Sequence, residues 1–257
     1  MASIPVLVLN CNPGALAATY TTASFTPVAG TKLVVFGVAY RATAMTVKPT
    51  ITDSAGLTWT EMGNVKASVF VNPDLWTVGW ISSTIGASPP AMTVTVAQTG
   101  AAGVTACVLS VLAADTDGTV VQVAYGEDLA AGDPSYTFAA TPGASNLVIG
   151  CNWHGGGNSI AKPAAYTDLF NLTPTNLTVR RVEVHYDNTS AAKGPNQSIS
   201  TNVRSIVMAV ELGFAAAPSG RAKVWSGSAW VQKPAKVWSG SAWVAKPVKI
   251  WNGSAWV

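Results

Sequence analysis

Phe25-Thr26-Pro27-Val28-Ala29-Gly30-Thr31-Lys32-Leu33-Val34-Val35-Phe36-Gly37 reads as a strand end, a Pro/Gly turn and an apolar strand. It has a counterpart in Phe138-Ala139-Ala140-Thr141-Pro142-Gly143-Ala144-Ser145-Asn146-Leu147-Val148-Ile149-Gly150, with one residue of offset inside the stretch. Pro and Gly punctuate the chain, and the branched side chains that follow suit a pleated, half-buried surface. Two readings are open. The likeness marks two related halves of one sandwich, or it is a turn that any β-protein reuses.

Outward from these two stretches, nearly every apolar segment reads as strand. Pro5–Asn10, Lys32–Tyr40, Leu75–Ile81, Met92–Ala97, Val104–Leu112, Thr119–Ala124, Tyr136–Ala139, Asn146–Asn152, Leu177–Tyr186 and Ser205–Leu212 are rich in Val, Thr, Ile and aromatics. Gly, Pro, Asn, Asp or Ser clusters bound most of them. Lys48–Trp59 reads as a strand, an Asp53-Ser54-Ala55-Gly56 turn and another strand. In Thr178–Tyr186, Arg181, Glu183 and His185 fall on one face, and Val182, Val184 and Tyr186 on the other. That pattern predicts a half-buried antiparallel strand with His185 on a solvated polar face. No segment combines a helical period with caps. The expected fold is all-β: an antiparallel, jelly-roll-like β-sandwich over residues 1–216. A Gly213–Gly220 boundary follows it.

Residues 217–257 are a different object. Lys223-Val224-Trp225-Ser226-Gly227-Ser228-Ala229-Trp230-Val231 returns as Lys236–Val244 and again as Lys249–Val257, with Ile250 and Asn252 the only changes. Each copy predicts a short β-hairpin turning on Ser-Gly or Asn-Gly, with both of its tryptophans on one face. Pro234 and Pro247 are expected between copies, where no ladder N–H is needed. An isolated hairpin is marginal in water, so three in series imply an array stabilised by stacking or by a partner. The six tryptophans Trp225, Trp230, Trp238, Trp243, Trp251 and Trp256 are therefore the candidate interaction residues, toward other subunits or a host surface. Two roles are weighed for them: a mini-core inside the array, or stacking on sugar rings.

Composition narrows the classes. Apolar residues are 49% and charged residues 11%, which excludes a disordered chain. The tail carries Arg221, Lys223, Lys233, Lys236, Lys246 and Lys249 and no acid, whereas residues 1–216 hold nine basic and 12 acidic groups. A basic, aromatic tail suits an anionic surface or nucleic acid; the sparse charge favours lysines that keep Trp-rich strands soluble, so no nucleic-acid partner is expected. No run is long enough for a membrane span, so no membrane insertion is expected. No basic residue precedes Lys32, so no secretory signal is expected. Cys11, Cys107 and Cys151 lack metal spacing and are expected as buried thiols in a chain made in a reducing cytoplasm.

Little points to catalysis. His154 precedes Gly155-Gly156-Gly157 and has no identifiable partner. His185 with Glu183 and Asp187 has a spacing compatible with metal ligands, but a solvated face is the plainer reading. Asp115-Thr116-Asp117-Gly118 starts like a calcium loop and then lacks its remaining ligands, so it is read as a turn. Glu127, Asp128 and Asp133 are read as a solvated loop cluster. No nucleophile elbow or phosphate loop is present. The expectation is a non-enzyme with no catalytic residue, no cofactor and no metal.

The tandem Lys-Val-Trp-Ser/Asn-Gly-Ser-Ala-Trp-Val units resemble the C-terminal repeats of virion proteins from actinobacteriophages, commonly called minor tail proteins. Through Lys32–Val38, Asp53–Trp59 and Met92–Val96 the body also resembles β-sandwich domains found in them. The resemblance implies a virion structural protein, tail-associated, made in the bacterial host cytoplasm and acting in assembly or host attachment. It implies other virion proteins as partners, a homo-oligomer with a trimer as first expectation, and a host-envelope glycan as a further candidate partner. The alternatives are a capsid-surface decoration protein and a carbohydrate-binding module.

Overall fold

The computed structural model describes residues 5–9, 17–41, 45–67, 74–101, 103–113, 115–128, 136–143, 146–154, 160–161, 167–172, 181–187, 198–199, 205–214, 221–225, 230–234 and 236–245. All regular structure among them is β, and every ladder is antiparallel. The chain forms two compact units, Met1–Ala215 and Ala216–Val257.

The first half of the body holds β1 (Val6–Leu9), β2 (Thr19–Thr21), β3 (Thr31–Arg41), β4 (Thr50–Asp53), β5 (Trp59–Ala67), β6 (Asp74–Ser82), β7 (Val94–Ala97) and β8 (Gly103–Leu112). The second half holds β9 (Val120–Asp128), β10 (Leu147–His154), β11 (Ile160–Ala161), β12 (Thr167–Leu172), β13 (Arg181–Asp187), β14 (Ser198–Ile199) and β15 (Ser205–Leu212). One sheet runs β1-β8-β3-β6-β5 and the other, read from its far edge, β9-β15-β10-β13-β12. The two orders correspond: each half closes its first strand on its last and centres on one strand, β3 in the first half and β10 in the second. The β4·β7 pair of the three-stranded sheet β2-β7-β4 is likewise matched by β11·β14. Each half thus has the strand order of a jelly roll, and β2 alone has no described counterpart. The twin stretches of the sequence feed β3 and β10, the central strands. Of the two readings left open, the topology favours related halves.

Burial explains why these strands carry almost unbroken apolar runs. Both central strands are covered on both faces, and such strands lose the apolar/polar alternation. On β3, Val34, Phe36, Val38 and Tyr40 enter a core shared with Leu147, Ile149, Cys151 and Trp153 of β10 and with Ile206, Met208, Val210 and Leu212 of β15. The other face of β3 presents Leu33, Val35 and Ala39 to Val94 and Val96 of the three-stranded sheet. On the outer face of the second sheet, Val148, Val207 and Ala209 pack with Tyr136 and Phe138. Tyr136–Ala139, expected as a strand, is instead an irregular covering segment with Tyr136 and Phe138 buried and Thr137 and Ala139 exposed.

A shared packing device supports the equivalence of the halves. Aligned without gaps, Gly37 of β3 falls on Gly150 of β10. A Cβ on Gly37 would lie 2.7 Å from the Trp80 ring on β6, and one on Gly150 would lie 2.2 Å from Nε2 of His185 on β13. In both halves the central strand gives up a side chain so that a ring from the equivalent neighbouring strand can lie over it. This overturns the solvated-face reading of His185, which is fully buried with Nε2 3.2 Å from the Tyr136 hydroxyl. Alternation places a residue on a face; it does not say whether another segment covers that face.

The buried Glu211 carboxylate ties the covering segment down. It accepts hydrogen bonds from Gln122 Nε2, Gly143 N and Asn146 Nδ2, each at 2.6 Å. Glu211→Leu removes the carboxylate from Gly143 N and Asn146 Nδ2, while Gln122 Nε2 keeps Ala140 O, and is expected to cost about 2 kcal/mol, since an orphaned part-buried group costs roughly 1–3. A chemical-denaturation midpoint unchanged from the parent would refute this role.

One cysteine departs from expectation. Cys107, buried on β8, is disulfide-bonded, Cys151 is a buried thiol, and Cys11 lies outside the described residues. β1 ends opposite Val108, the residue next to Cys107. Apolar flanks made Cys107 look like an inert thiol, because burial and bonding leave the same composition around it. Alkylation of denatured, unreduced protein is expected to label Cys151 and spare Cys107. Reduction is expected to remove about 2–4 kcal/mol of stability. Labelling of Cys107 without reductant would contradict the bond.

Candidate functional site

The tail supplies the candidate site. β16 (Arg221–Trp225) pairs with β17 (Trp230–Pro234), and β18 (Lys236–Trp238) pairs with β19 (Trp243–Ala245). Both hairpins use one register: Trp225 opposes Trp230, and Trp238 opposes Trp243. The first ladder runs on to Pro234, which pairs with Arg221. Pro234 lies between the copies, as expected, and also ends a strand, a position a two-stranded edge tolerates. The third copy, with Trp251 and Trp256, lies outside the described residues, as do the side chains of Trp225 and Trp230.

The second copy shows how the sequence builds the pair. Ser239 N donates to Ala242 O at 2.8 Å, and the Ser239 hydroxyl accepts from Ala242 N at 3.1 Å. These bonds close a two-residue turn on Gly240-Ser241, with Gly240 at φ 96°. Glycine fills that first central position because a Cβ there is strained. Ser239 and Ala242 are hydrogen-bonded opposite one another, so Trp238 and Trp243 form the next pair out, where cross-strand side chains come closest. Their ring centroids lie 5.7 Å apart with planes tilted by 60°. Such a pair adds roughly 0.5–1.5 kcal/mol beyond area burial.

The pair is not buried. Trp238 is 52% exposed and Trp243 64% exposed, and every residue from Lys236 to Val244 is exposed. Val237 and Val244, on the opposite face, are open as well. Lys236 lies two residues before Trp238 and so shares its face. The second copy is thus a two-sided strip with a Trp/Lys face and a Val face.

The other candidates divide. His154 is the last residue of β10, and its side chain is outside the described set. His185 is part of the body's packing. Glu127 and Asp128 belong to strand β9 instead of a loop, while Asp133 is outside the described residues. Asp115–Gly118 is a turn, with Asp117 Oδ1 accepting from Thr119 N at 2.7 Å. No group of His, Cys, Asp and Glu among the described residues is placed to hold a metal. A groove of about 360 Å³ is lined by Val6, Val8, Pro27, Val28 and Leu112 among others, and a smaller one of about 200 Å³ by Leu57, Ile85, Pro89, Pro90 and Met92 among others. Among the described residues, no titratable side chain lines either. No helix among the described residues is long and apolar enough to cross a membrane.

Comparison of the chain with protein-family models, curated proteins and solved structures finds no match.

Proposed function

We propose that this chain is a non-enzymatic structural protein of a bacteriophage virion, tail-associated, acting in particle assembly and attachment to the host surface. The observation that carries the proposal is the open Trp238/Trp243 pair, on a unit that the sequence writes three times. A strip with apolar side chains on both faces is a contact surface awaiting a partner. The resemblance of the repeats to those of phage minor tail proteins points the same way. A disulfide at Cys107 suits a protein that works outside a reducing cytoplasm. Jelly rolls recur in viral capsid and lectin domains, an analogy of fold alone. The described grooves offer apolar walls and no acid–base pair.

The working form is a closed homo-oligomer, with a trimer as first expectation from the resemblance. Antibody labelling of intact particles, imaged by electron microscopy, tests the proposal. Label at the tail is expected. Label on the capsid surface instead would favour a decoration protein, and unlabelled particles would overturn the virion reading. A carbohydrate-binding module is the second reading, favoured by the same exposed indoles.

A further inference from the structure

We propose that the Trp/Lys face of each C-terminal hairpin binds an anionic saccharide, a chain of sugar rings carrying carboxylate or phosphate groups. The inference rests on the attachment reading and names the chemistry it would use. Indole faces pack against the C–H faces of pyranose rings, and Trp238 and Trp243 offer two such faces at 5.7 Å spacing, each more than half exposed. Lys236 stands on that face beside Trp238. The same Lys-x-Trp spacing recurs as Lys223/Trp225 and Lys249/Trp251. No Asp or Glu occurs in residues 217–257, so the repeated lysines have no acidic side chain within their own unit. One Lys-x-Trp cation and one tryptophan pair per nine-residue unit match a polymer with a charge every one or two rings.

Two other occupants fit less well. A second copy of the same face would set lysine against lysine, and like charges across a contact are unfavourable. Nucleic acid carries a charge on every nucleotide and stacks bases on aligned rings. A pair tilted by 60° leaves no parallel slot, and one lysine, Lys236, on the tryptophan face of the described copy is a sparse match.

The test uses the full-length protein, followed by tryptophan fluorescence and titration calorimetry. The probes are polygalacturonate for carboxylate, a phosphodiester-linked mannan for phosphate, dextran as neutral glycan, and a single-stranded oligonucleotide. Binding to at least one anionic glycan, stronger than to dextran and weakened by salt, is the expected result. Which of the two binds identifies the anion. The K223A/K236A/K249A variant is expected to bind about tenfold more weakly, as three exposed ion pairs of typical strength imply. The far-UV exciton signal of paired indoles should persist in it, showing that the hairpins still form. The W225A/W238A/W251A variant is expected to lose about a hundredfold or more, because three linked sites fail together. Equal binding of dextran, with the lysine variant unchanged, would overturn the anionic part. Preference for the oligonucleotide, or binding to none of the probes, would overturn the proposal. Particle labelling reads the virion assignment separately, so either reading can fail alone.

Discussion

Gly150→Ala is expected to destabilise the body by about 3–5 kcal/mol, far beyond the usual cost of adding one methyl. Overpacking typically costs about 1–3 kcal/mol because neighbours shift to make room. Here the neighbour cannot shift cheaply. The added Cβ would lie 2.2 Å from Nε2 and 2.4 Å from Cε1 of His185. That imidazole is fully buried and lies nearly parallel to Tyr136, with centroids 6.2 Å apart and planes within 8°. Moving it also breaks the contact with the Tyr136 hydroxyl, leaving buried polar atoms to be satisfied anew. Gly79→Ala is the control. Its Cβ would meet Met208 Cε at 2.7 Å and Met62 Cε at 3.0 Å, flexible ends that can give way. About 1 kcal/mol is expected there. Truncating His185 to Ala in the Gly150→Ala background should recover part of the loss, a coupling of about 2 kcal/mol in a double-mutant cycle. Thermal midpoints report both; a Gly150→Ala protein as stable as Gly79→Ala would refute the packing role given to His185.

This glycine also shows what the sequence made legible. The twin stretches ending in Gly37 and Gly150 carried the fold class and hinted at duplication, because strand and turn chemistry are local. The equivalence of the halves needed the strand order, since pairs such as β1·β8 join residues about a hundred positions apart. Short β2, β11 and β14 escaped notice because two or three residues carry no period. His185 and Tyr136 were misplaced for one shared reason: strand alternation assigns faces, and only the tertiary structure shows that Tyr136 covers one of them. The hairpins were the most legible part. Their turn centres on Gly240-Ser241, one residue beyond the expected Ser239-Gly240, and that shift is what sets Trp238 opposite Trp243. Their exposure was not legible. A Trp-rich strip reads as a mini-core, whereas Trp238 and Trp243 of the second copy are more than half exposed.

Deleting residues 217–257 is expected to leave the body folded and to reduce particle attachment by about a hundredfold or more. The first expectation follows from the partition of the chain at Ala215/Ala216 and from core clusters whose described members all precede that point. The thermal midpoint of the truncated chain should therefore stay within about 2 °C of the parent, less than the shift produced by 1 kcal/mol in a domain of this size. The second expectation follows from repetition. Three linked weak sites act at a high effective concentration, so joint binding exceeds any one site by about 10²–10⁴ when the geometry permits simultaneous contact. Removing only the last copy, residues 246–257, should cost less than removing all three, and the graded loss separates an avidity device from a single essential contact. Particles carrying each form would be compared by adsorption to host cells and by the amount of the chain they retain. A fall in retained chain would place the repeats in assembly; retained chain with lost adsorption would place them in attachment. Full adsorption with the whole array gone would end the role proposed for the tryptophan hairpins.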